Sequence, residues 1–238
     1  MDQAPRYGER TSALLDRLHE DGVTRISLLM RHSAREYAPG RHDLDNPLTE
    51  DGRRYAREFG THVPAALRVR AYSSPVPRCQ DTAELIHAAH LEKGGLGRGG
   101  ARPVEGLGVF YVLDQMKMFK AMSTSAEGMR GLMRAWFDGR VAEDIMLPAP
   151  LAARCLLRLL ITRLQGQSSD PALDLCVTHD LSLYLFREVC LGMRADTAGK
   201  VRYLDGIACF ERDGEWYAAT HDCKPTPLHI HKLPLRVV

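Results

Sequence analysis

The sequence is poor in the features that mark nucleic-acid-binding and membrane proteins. Its 238 residues carry 32 Lys and Arg against 30 Asp and Glu, so the formal net charge is only +2. A nearly balanced chain offers no strong basic patch for a phosphate backbone, and nucleic acid is therefore not an expected partner. No apolar run approaches the roughly 20 residues that a membrane-spanning helix needs, so no membrane contact is expected either.

The six cysteines lack a recognisable pairing pattern. No two of them have Cys-x-x-Cys spacing, which leaves zinc ribbons and thioredoxin-type redox chemistry without support. Four lie inside apolar stretches such as LDLCVT and DGIACF, so we interpret them as buried free thiols. The opening residues include acidic side chains and no apolar core, unlike a secretory signal peptide. We therefore predict a cytoplasmic protein.

Histidines and a cysteine near the end of the sequence resemble a loose metal cluster. They are His221, Cys223, His229 and His231. Their spacing fits no closed zinc pattern, and Pro225 and Pro227 indicate an extended tail. We expect no metal site and no cofactor.

Apolar periodicity predicts an α/β fold. Buried strands are predicted at residues 26–30, 69–74 and 173–178, and helices at residues 11–20, 49–60, 78–89, 150–165 and 181–191. Thr49 is expected to cap its helix and Gly60 to end it. Alternating apolar residues around Asp213 and Gly214 predict a hairpin. Strands that alternate with helices indicate a single domain over residues 1–238, a three-layer α/β/α sandwich with a mostly parallel central sheet.

Two segments interrupt this alternation. Residues 91–102 are rich in glycine and predict a flexible surface loop. Residues 110–147 are rich in methionine and have a helical pattern, and we interpret them as a helical cap insert over the site. The methionines either line an adaptable substrate pocket or pack between helices, and packing is the preferred interpretation.

Side chains suited to phosphate follow each of the three predicted strands. The first strand leads into RHSAR at residues 31–35, the second into Ser73, Ser74 and Arg78, and the third into VTHD at residues 177–180. Because ligands bind beyond the carboxyl ends of parallel strands, these segments are expected to share one pocket. Paired guanidinium donors match phosphate oxygens, so the pocket is expected to bind a small phosphorylated substrate, or a phosphate or sulfate ion.

The same segments indicate nucleophilic chemistry. A neutral imidazole such as that of His32 can attack phosphorus and form a phosphohistidine, which water then hydrolyses. Neighbouring cations disfavour protonation of His32 and keep it reactive near neutral pH. The arginines also supply electrostatic stabilisation, so no metal ion is required.

Four segments resemble, in order, the signatures of the histidine phosphatase superfamily, also called phosphoglycerate mutase-like. They are LLMRHSAR, LTEDGRRYA, YSSPVPRCQDTAELI and VTHD, and they span roughly residues 24–190. The resemblance implies that His32 is the phosphorylated nucleophile. It also implies that Arg31, Arg78 and His179 hold the phosphoryl group.

The expected proton donor depends on the branch of the superfamily. RHxxR and His-Asp resemble the acid-phosphatase branch, which implies that Arg35 is a further phosphate ligand and Asp180 the donor. The chain departs from that branch because it is shorter, has no disulfide framework or export signal, and has Ser33 where glycine is usual. In the other branch a Glu beyond the SSxxxR motif is the acid, and Glu105 has a suitable position after Arg78. Asp180 is preferred because its position beside a histidine needs no loop to place it, and Glu105 is the alternative.

The sequence thus favours a metal-independent phosphatase that hydrolyses a phosphomonoester through His32. One alternative is a phosphoglycerate mutase-like phosphotransferase, and another is removal of phosphate from a protein side chain. A third is a non-catalytic module that binds a phosphorylated ligand. Such a module is expected to lose its nucleophile or acid, whereas this chain keeps His32 and two candidate acids, Asp180 and Glu105.

Overall fold

The computed structural model describes residues 6–38, 40, 43–165 and 170–228. Its helices are α1 (Glu9–Glu20), α2 (Glu50–His62), α3 (Pro77–Glu92), α4 (Gln115–Thr124), α5 (Met129–Phe137), α6 (Ala149–Gln165) and α7 (Asp180–Leu191). Its strands are β1 (Arg25–Arg31), β2 (Arg68–Ser73), β3 (Arg102–Pro103), β4 (Ala172–Thr178), β5 (Gly206–Arg212), β6 (Glu215–Thr220) and β7 (Cys223–Pro227). Short 3₁₀ turns occupy Asp43–Asp45 and Glu105–Leu107.

All seven strands form one sheet, in the order β3-β2-β4-β1-β5-β6-β7. β1 and β2 each pair in parallel with β4, and β3 pairs in parallel with β2. On the other side of β1, the strands β5, β6 and β7 continue the sheet in antiparallel pairs. The expected mostly parallel sheet is therefore mixed, with its parallel half around β4. All seven residues of β4 are buried, as expected for a strand in the middle of a sheet that is covered on both faces.

Helices cover both faces of the sheet and complete the predicted three layers. Apolar residues of α1, α2 and α3 pack on one face, and those of α6 and α7 pack on the other. The amphipathic pattern of α1 shows how the sequence produces this packing, because Leu14, Leu15 and Leu18 are buried while the opposite side of the helix is exposed. Within the described residues, no helix is long and apolar enough to cross a membrane.

The start of α2 was predicted correctly, but its end was not. The hydroxyl of Thr49 accepts a hydrogen bond from the Gly52 amide at 2.9 Å and caps the helix as expected. The helix continues through Gly60 to His62, so Gly60 does not end it. A Cβ at Gly60 would lie 2.3 Å from the Ile86 carbonyl oxygen, so glycine is needed here for the close approach of α2 to α3.

The predicted hairpin is confirmed, and two short strands extend the sheet beyond the prediction. Asp213 and Gly214 both have positive φ and connect β5 to β6. β7 was expected only as an extended tail, and it pairs with β6 at the edge of the sheet. At the opposite edge, Gly97 of the glycine-rich segment bridges to Val69, and β3 pairs with β2.

Residues 110–147, for which a helical pattern was predicted, contain the two helices α4 and α5. Met118, Leu132 and Trp136 are buried here and pack with Leu185 of α7 in one apolar cluster. The methionines are divided, because Met118 is buried whereas Met116 is largely exposed. Helix packing therefore accounts for some of these methionines and not for all of them.

Candidate active site

The three segments whose side chains suit phosphate binding meet at one edge of the sheet. β4 lies between β1 and β2, so the carboxyl ends of all three strands are adjacent. The His32 amide donates to the Thr178 carbonyl at 2.9 Å, and the Ser74 amide donates to the Val177 carbonyl at 2.8 Å. These backbone bonds continue the parallel pairing past the strands and fix the loops that carry the side chains.

His32 has both ring nitrogens engaged and is almost fully buried. Its Nε2 lies 3.1 Å from Nε of Arg78, and its Nδ1 lies 2.8 Å from the Ser33 carbonyl oxygen. Because a guanidinium nitrogen only donates, Nε2 is the acceptor and carries a lone pair, and Nδ1 carries the proton and donates to Ser33. In this tautomer Nε2 is the ring nitrogen that carries a lone pair and faces Arg78.

The surroundings of His32 keep its imidazole neutral. Burial is the main cause that lowers its pKa well below the usual 6.5, and Arg78 and His179 lower it further. The bond to the Ser33 carbonyl acts in the opposite direction and is outweighed. The lone pair on Nε2 is therefore available at neutral pH, as expected from the sequence.

Arg78 contacts three other residues of the site. It is buried near the start of α3, and its guanidinium uses all three nitrogens. Besides the bond from Nε to His32, Nη1 donates to the Asp43 carbonyl at 2.8 Å, and Nη2 lies 3.5 Å from Nδ1 of His179. Two imidazoles thus face one planar cation, an arrangement that presents N–H donors to an anion beside His32.

His179 lies 5.7 Å from His32 between ring centroids. Its Nδ1 faces Arg78, and its Nε2 is 3.0 Å from the hydroxyl oxygen of Ser74, to which it donates. Burial, followed by the charge of Arg78, lowers the pKa of His179 to about 4. The Ser74 hydroxyl therefore orients His179.

Arg31 connects His32 to the start of α7. Its Nη2 pairs with Asp180 Oδ2 at 2.9 Å, and Nη1 donates to the Val201 carbonyl at 2.8 Å. Its guanidinium stacks over the ring of Tyr203, 4.2 Å from the centroid. The Asp180 side chain is partly exposed, so this acid can be reached from the solvent side of the site.

Asp43, which was not predicted as a site residue, lies between Arg35 and Arg78 and contacts both. Arg35 Nη2 pairs with Asp43 Oδ1 at 2.6 Å, and Arg78 Nη2 approaches Asp43 Oδ2 at 3.3 Å. Tyr203 was missed as well. Both residues lie in irregular segments without apolar periodicity, so no sequence pattern marked them.

Glu105 is not among the residues that meet at His32. It begins the 3₁₀ turn after β3 and is exposed. Among the described residues, its carboxylate makes no ion pair or hydrogen bond with the arginines or histidines of the site. Asp180, in contrast, contacts Arg31 directly.

Hydrogen bonds behind His32 hold its loop in place. Ser33 is fully buried, its amide donates to Thr82 Oγ1 at 3.1 Å, and its hydroxyl donates to the Gly52 carbonyl at 2.7 Å. The Thr82 hydroxyl in turn donates to the Arg78 carbonyl at 2.7 Å. The serine at the position where glycine is usual therefore links the His32 loop to α2 and α3.

Cys79 follows Arg78, and its Sγ lies 3.8 Å from His179 Nε2. Burial raises its thiol pKa to about 12, so the sulfur stays protonated and is not a competing nucleophile. Of the C-terminal histidines and cysteine, His229 and His231 lie outside the described residues. Among the described residues, no group of three or more potential metal ligands comes together.

Residues 27–93 match the family model described as the Histidine phosphatase superfamily (branch 1). The match supports the histidine phosphatase superfamily. It includes His32 and the three arginines Arg31, Arg35 and Arg78. The matched description is of branch 1, so the resemblance to the acid-phosphatase branch through RHxxR is not confirmed. No curated protein matches the sequence.

Several solved structures share the fold. A phosphoglycerate mutase from Bacillus anthracis is 18% identical, with a TM-score of 0.55 over 84% of this chain and 94% of its own. A mycobacterial glucosyl-3-phosphoglycerate phosphatase with inorganic phosphate is 16% identical, with a TM-score of 0.54 over 84% and 100%. A mutant phosphoserine phosphatase from Entamoeba histolytica with phosphoserine is 15% identical, with a TM-score of 0.51 over 88% and 99%. These likenesses show the phosphoglycerate mutase-like fold.

The histidine phosphatase match ends at residue 93, just after α3 and before β4 begins. His179, Asp180 and Glu105 therefore lie outside the matched residues. Their places relative to His32 come from the tertiary structure alone.

Proposed function

We propose that this protein is a phosphatase that hydrolyses a small phosphomonoester through a phosphohistidine on His32. The observation that carries the proposal is the hydrogen-bonded pair of His32 and Arg78. Nε2 of a buried, neutral imidazole faces a guanidinium nitrogen at 3.1 Å. A phosphoryl group beside Nε2 meets both a nucleophile and a cation that stabilises charge on the equatorial oxygens.

The roles of the surrounding residues follow from their donors. Arg31, Arg35 and Arg78 bind the phosphoryl oxygens through their guanidinium N–H groups and stabilise the transition state. His179 joins them when Nδ1 also carries a proton, which the negative charge of a bound phosphoryl group favours. Formation of the N–P bond breaks the bond to the leaving oxygen, which takes a proton from a carboxylic acid. The resulting carboxylate then removes a proton from the water that hydrolyses the phosphohistidine.

Asp180 is the preferred proton donor. It lies at the start of α7, beside His179, and its contact with Arg31 holds it at the edge of the site. Glu105 remains the alternative, since it follows β3 at the same edge of the sheet and is free to approach a bound leaving group.

We further propose that the reaction needs no metal ion, because three guanidiniums supply the positive charge that a metal supplies elsewhere. The six cysteines are free thiols, which fits a reducing compartment and supports a cytoplasmic location.

Residues 110–147 are proposed to form a cap within a single domain. The segment just before them is tied to the site, because Thr178 Oγ1 donates to the Leu107 carbonyl at 2.6 Å. Tyr111 and Ser182 of α7 contact through their hydroxyls at 3.0 Å. These bonds support the proposal, because they connect the start of this segment to the residues that carry His179 and Asp180.

The direct test is release of phosphate from p-nitrophenyl phosphate in the presence of EDTA. Wild type is expected to be active, and His32→Ala is expected to lose at least about 1,000-fold in kcat because the nucleophile is gone. His62→Ala, which removes an exposed histidine of α2, is the matched control and should keep full activity.

The other outcomes separate the alternatives. Activity that disappears with EDTA contradicts the metal-free mechanism. Activity that survives in His32→Ala contradicts the nucleophile. A folded wild type that moves phosphate between hydroxyls of a substrate without releasing it is a mutase, and one that only binds phosphate is a binding module.

A further inference from the structure

One carboxylate lies among the arginines of the site and has no part in the reaction proposed above. Asp43 Oδ1 is 2.6 Å from Arg35 Nη2, and Asp43 Oδ2 is 3.3 Å from Arg78 Nη2. Its two oxygens are therefore shared between two guanidiniums. A phosphoryl group bound by the same two arginines presents its oxygens to the same N–H donors.

The position of Asp43 differs from that of an ordinary structural ion pair. Its side chain is nearly half exposed, whereas the side chains of Arg35 and Arg78 are mostly buried. The arginines thus belong to the interior of the site, and the carboxylate approaches from the solvent side. Asp43 begins a 3₁₀ turn of three residues.

Arg78 makes two different contacts with this residue. Nη1 donates to the backbone carbonyl of Asp43 at 2.8 Å, whereas Nη2 contacts the side chain. The backbone contact does not depend on the carboxylate and keeps the turn near the site. Only the contacts of the carboxylate use donors that a phosphoryl group needs.

We propose that the Asp43 carboxylate is an internal competitor for the phosphoryl-binding position of Arg35 and Arg78. Substrate binding displaces it, and after hydrolysis it returns to the arginines and helps inorganic phosphate to leave. The inference rests on the proposed function, because it takes these arginines as phosphoryl ligands. It adds a residue that sets the affinity for substrate and product.

The physical consequence is a weaker apparent affinity for phosphate. When an internal group occupies the binding position in most molecules, the apparent dissociation constant rises in inverse proportion to the fraction of open sites. Mostly buried guanidiniums make this internal contact stronger than an exposed ion pair. Removing the charge of Asp43 should therefore tighten phosphate binding.

The neighbouring Asp45 provides a matched control. It is exposed and lies in the same 3₁₀ turn. Among the described contacts it makes no ion pair with Arg35 or Arg78. Asp43→Asn and Asp45→Asn therefore remove the same charge from the same turn, and only the first removes the competitor.

The experiment is calorimetric titration of inorganic phosphate into the full chain as wild type, Asp43→Asn and Asp45→Asn. The dissociation constant for phosphate should fall about five- to tenfold in Asp43→Asn, because the carboxylate that occupies the binding position in most wild-type molecules is gone. It should change less than about twofold in Asp45→Asn, where only a distant charge is removed. Steady-state inhibition by phosphate should show the same order.

Three results overturn the inference. An unchanged or weaker affinity in Asp43→Asn shows that its carboxylate does not compete. Equal tightening in both variants shows a general effect of charge. A loss of kcat that is larger for poor leaving groups in Asp43→Asn shows that Asp43 is a proton donor instead.

The titration also separates this inference from the proposed function, because it needs no turnover. Phosphate that binds wild type and Asp43→Asn with equal affinity overturns the competitor and leaves the phosphoryl site intact. Phosphate that binds neither protein overturns both.

Discussion

Arg78 Nε donates to His32 Nε2 at 3.1 Å, while His32 Nδ1 donates to the Ser33 carbonyl at 2.8 Å. The two bonds fix the tautomer and the orientation of the imidazole from opposite sides. Because Nε of the arginine contacts His32, Nη1 and Nη2 are left to contact Asp43 and His179. His32 and Arg78 are therefore positioned as one unit.

The first prediction is that Arg78→Lys loses most of the activity. A lysine offers one ammonium and cannot contact His32, Asp43 and His179 at the same time, so kcat/KM should fall at least about 100-fold. Arg53→Lys is the control, since Arg53 pairs with Asp81 on the surface and should tolerate the change. Rates on p-nitrophenyl phosphate measure both, and a loss below tenfold in Arg78→Lys would contradict the need for the planar cation.

The second prediction concerns the protonation of His32. Burial, Arg78 and His179 lower its pKa well below 6.5, so the ring should stay neutral when the pH falls through 6.5. Imidazole ¹⁵N chemical shifts measure this directly, with Nδ1 bearing the proton. Half-protonation of His32 near pH 6.5 would show that the site does not suppress its charge.

The third prediction links His179 to stability. The pKa of His179 is about 4 in the folded protein, and an unfolded histidine titrates near 6.5. Between these values the unfolded chain binds a proton that the folded chain does not, so stability falls as the pH decreases from 6.5 to 4. The loss from this group amounts to about 3 kcal/mol.

Urea denaturation at several pH values, in buffers without phosphate, tests this linkage. His179→Asn should lose less stability than wild type over the same pH range, because it lacks the titrating group. His62→Asn removes an exposed histidine and should follow the wild-type curve. Parallel curves for wild type and His179→Asn would refute the assignment.

The fourth prediction identifies the proton donor. Asp180→Asn should slow alkyl phosphates much more than p-nitrophenyl phosphate, because an aryl leaving group needs little protonation. For alkyl substrates the expected loss in kcat is about 100-fold or more. Glu105→Gln is the matched comparison. A larger loss in Glu105→Gln assigns the acid to Glu105, and equal losses on both substrate types in Asp180→Asn argue against its role.

The fifth prediction concerns the support of the nucleophile loop by α2. A Cβ at Gly52 would lie 2.0 Å from the Ala34 carbonyl oxygen, two residues beyond His32. Gly52→Ala should therefore cost at least about 2 kcal/mol of stability and displace the loop, which lowers kcat. At Gly100 nothing lies within 4 Å of such a Cβ, so Gly100→Ala is the control. Thermal unfolding and activity of the two variants should differ clearly.

The sequence was sufficient to predict the elements that place the site. Strands, helices and the hairpin have apolar periods that reflect which face each element buries, so their positions can be read along the chain. Arg31 at the end of its strand, and Arg78 and His179 after theirs, could be grouped for the same reason, since the carboxyl ends of parallel strands lie at one edge of a sheet. The predicted end of α2 was wrong because Gly60 is needed for a close contact with α3. A contact with a distant helix cannot be recognised from the neighbouring residues in the sequence.

Only the tertiary structure decided the contacts between segments that are far apart in the sequence. Whether Asp180 or Glu105 lies near Arg31 depends on how irregular segments pack, and so do the stacking of Tyr203 on Arg31 and the insertion of Asp43 between two arginines. The sequence by itself determined that a histidine and several arginines follow buried strands, because burial leaves a periodic pattern. It did not determine which carboxylates meet them, because long-range electrostatic contacts leave no such pattern.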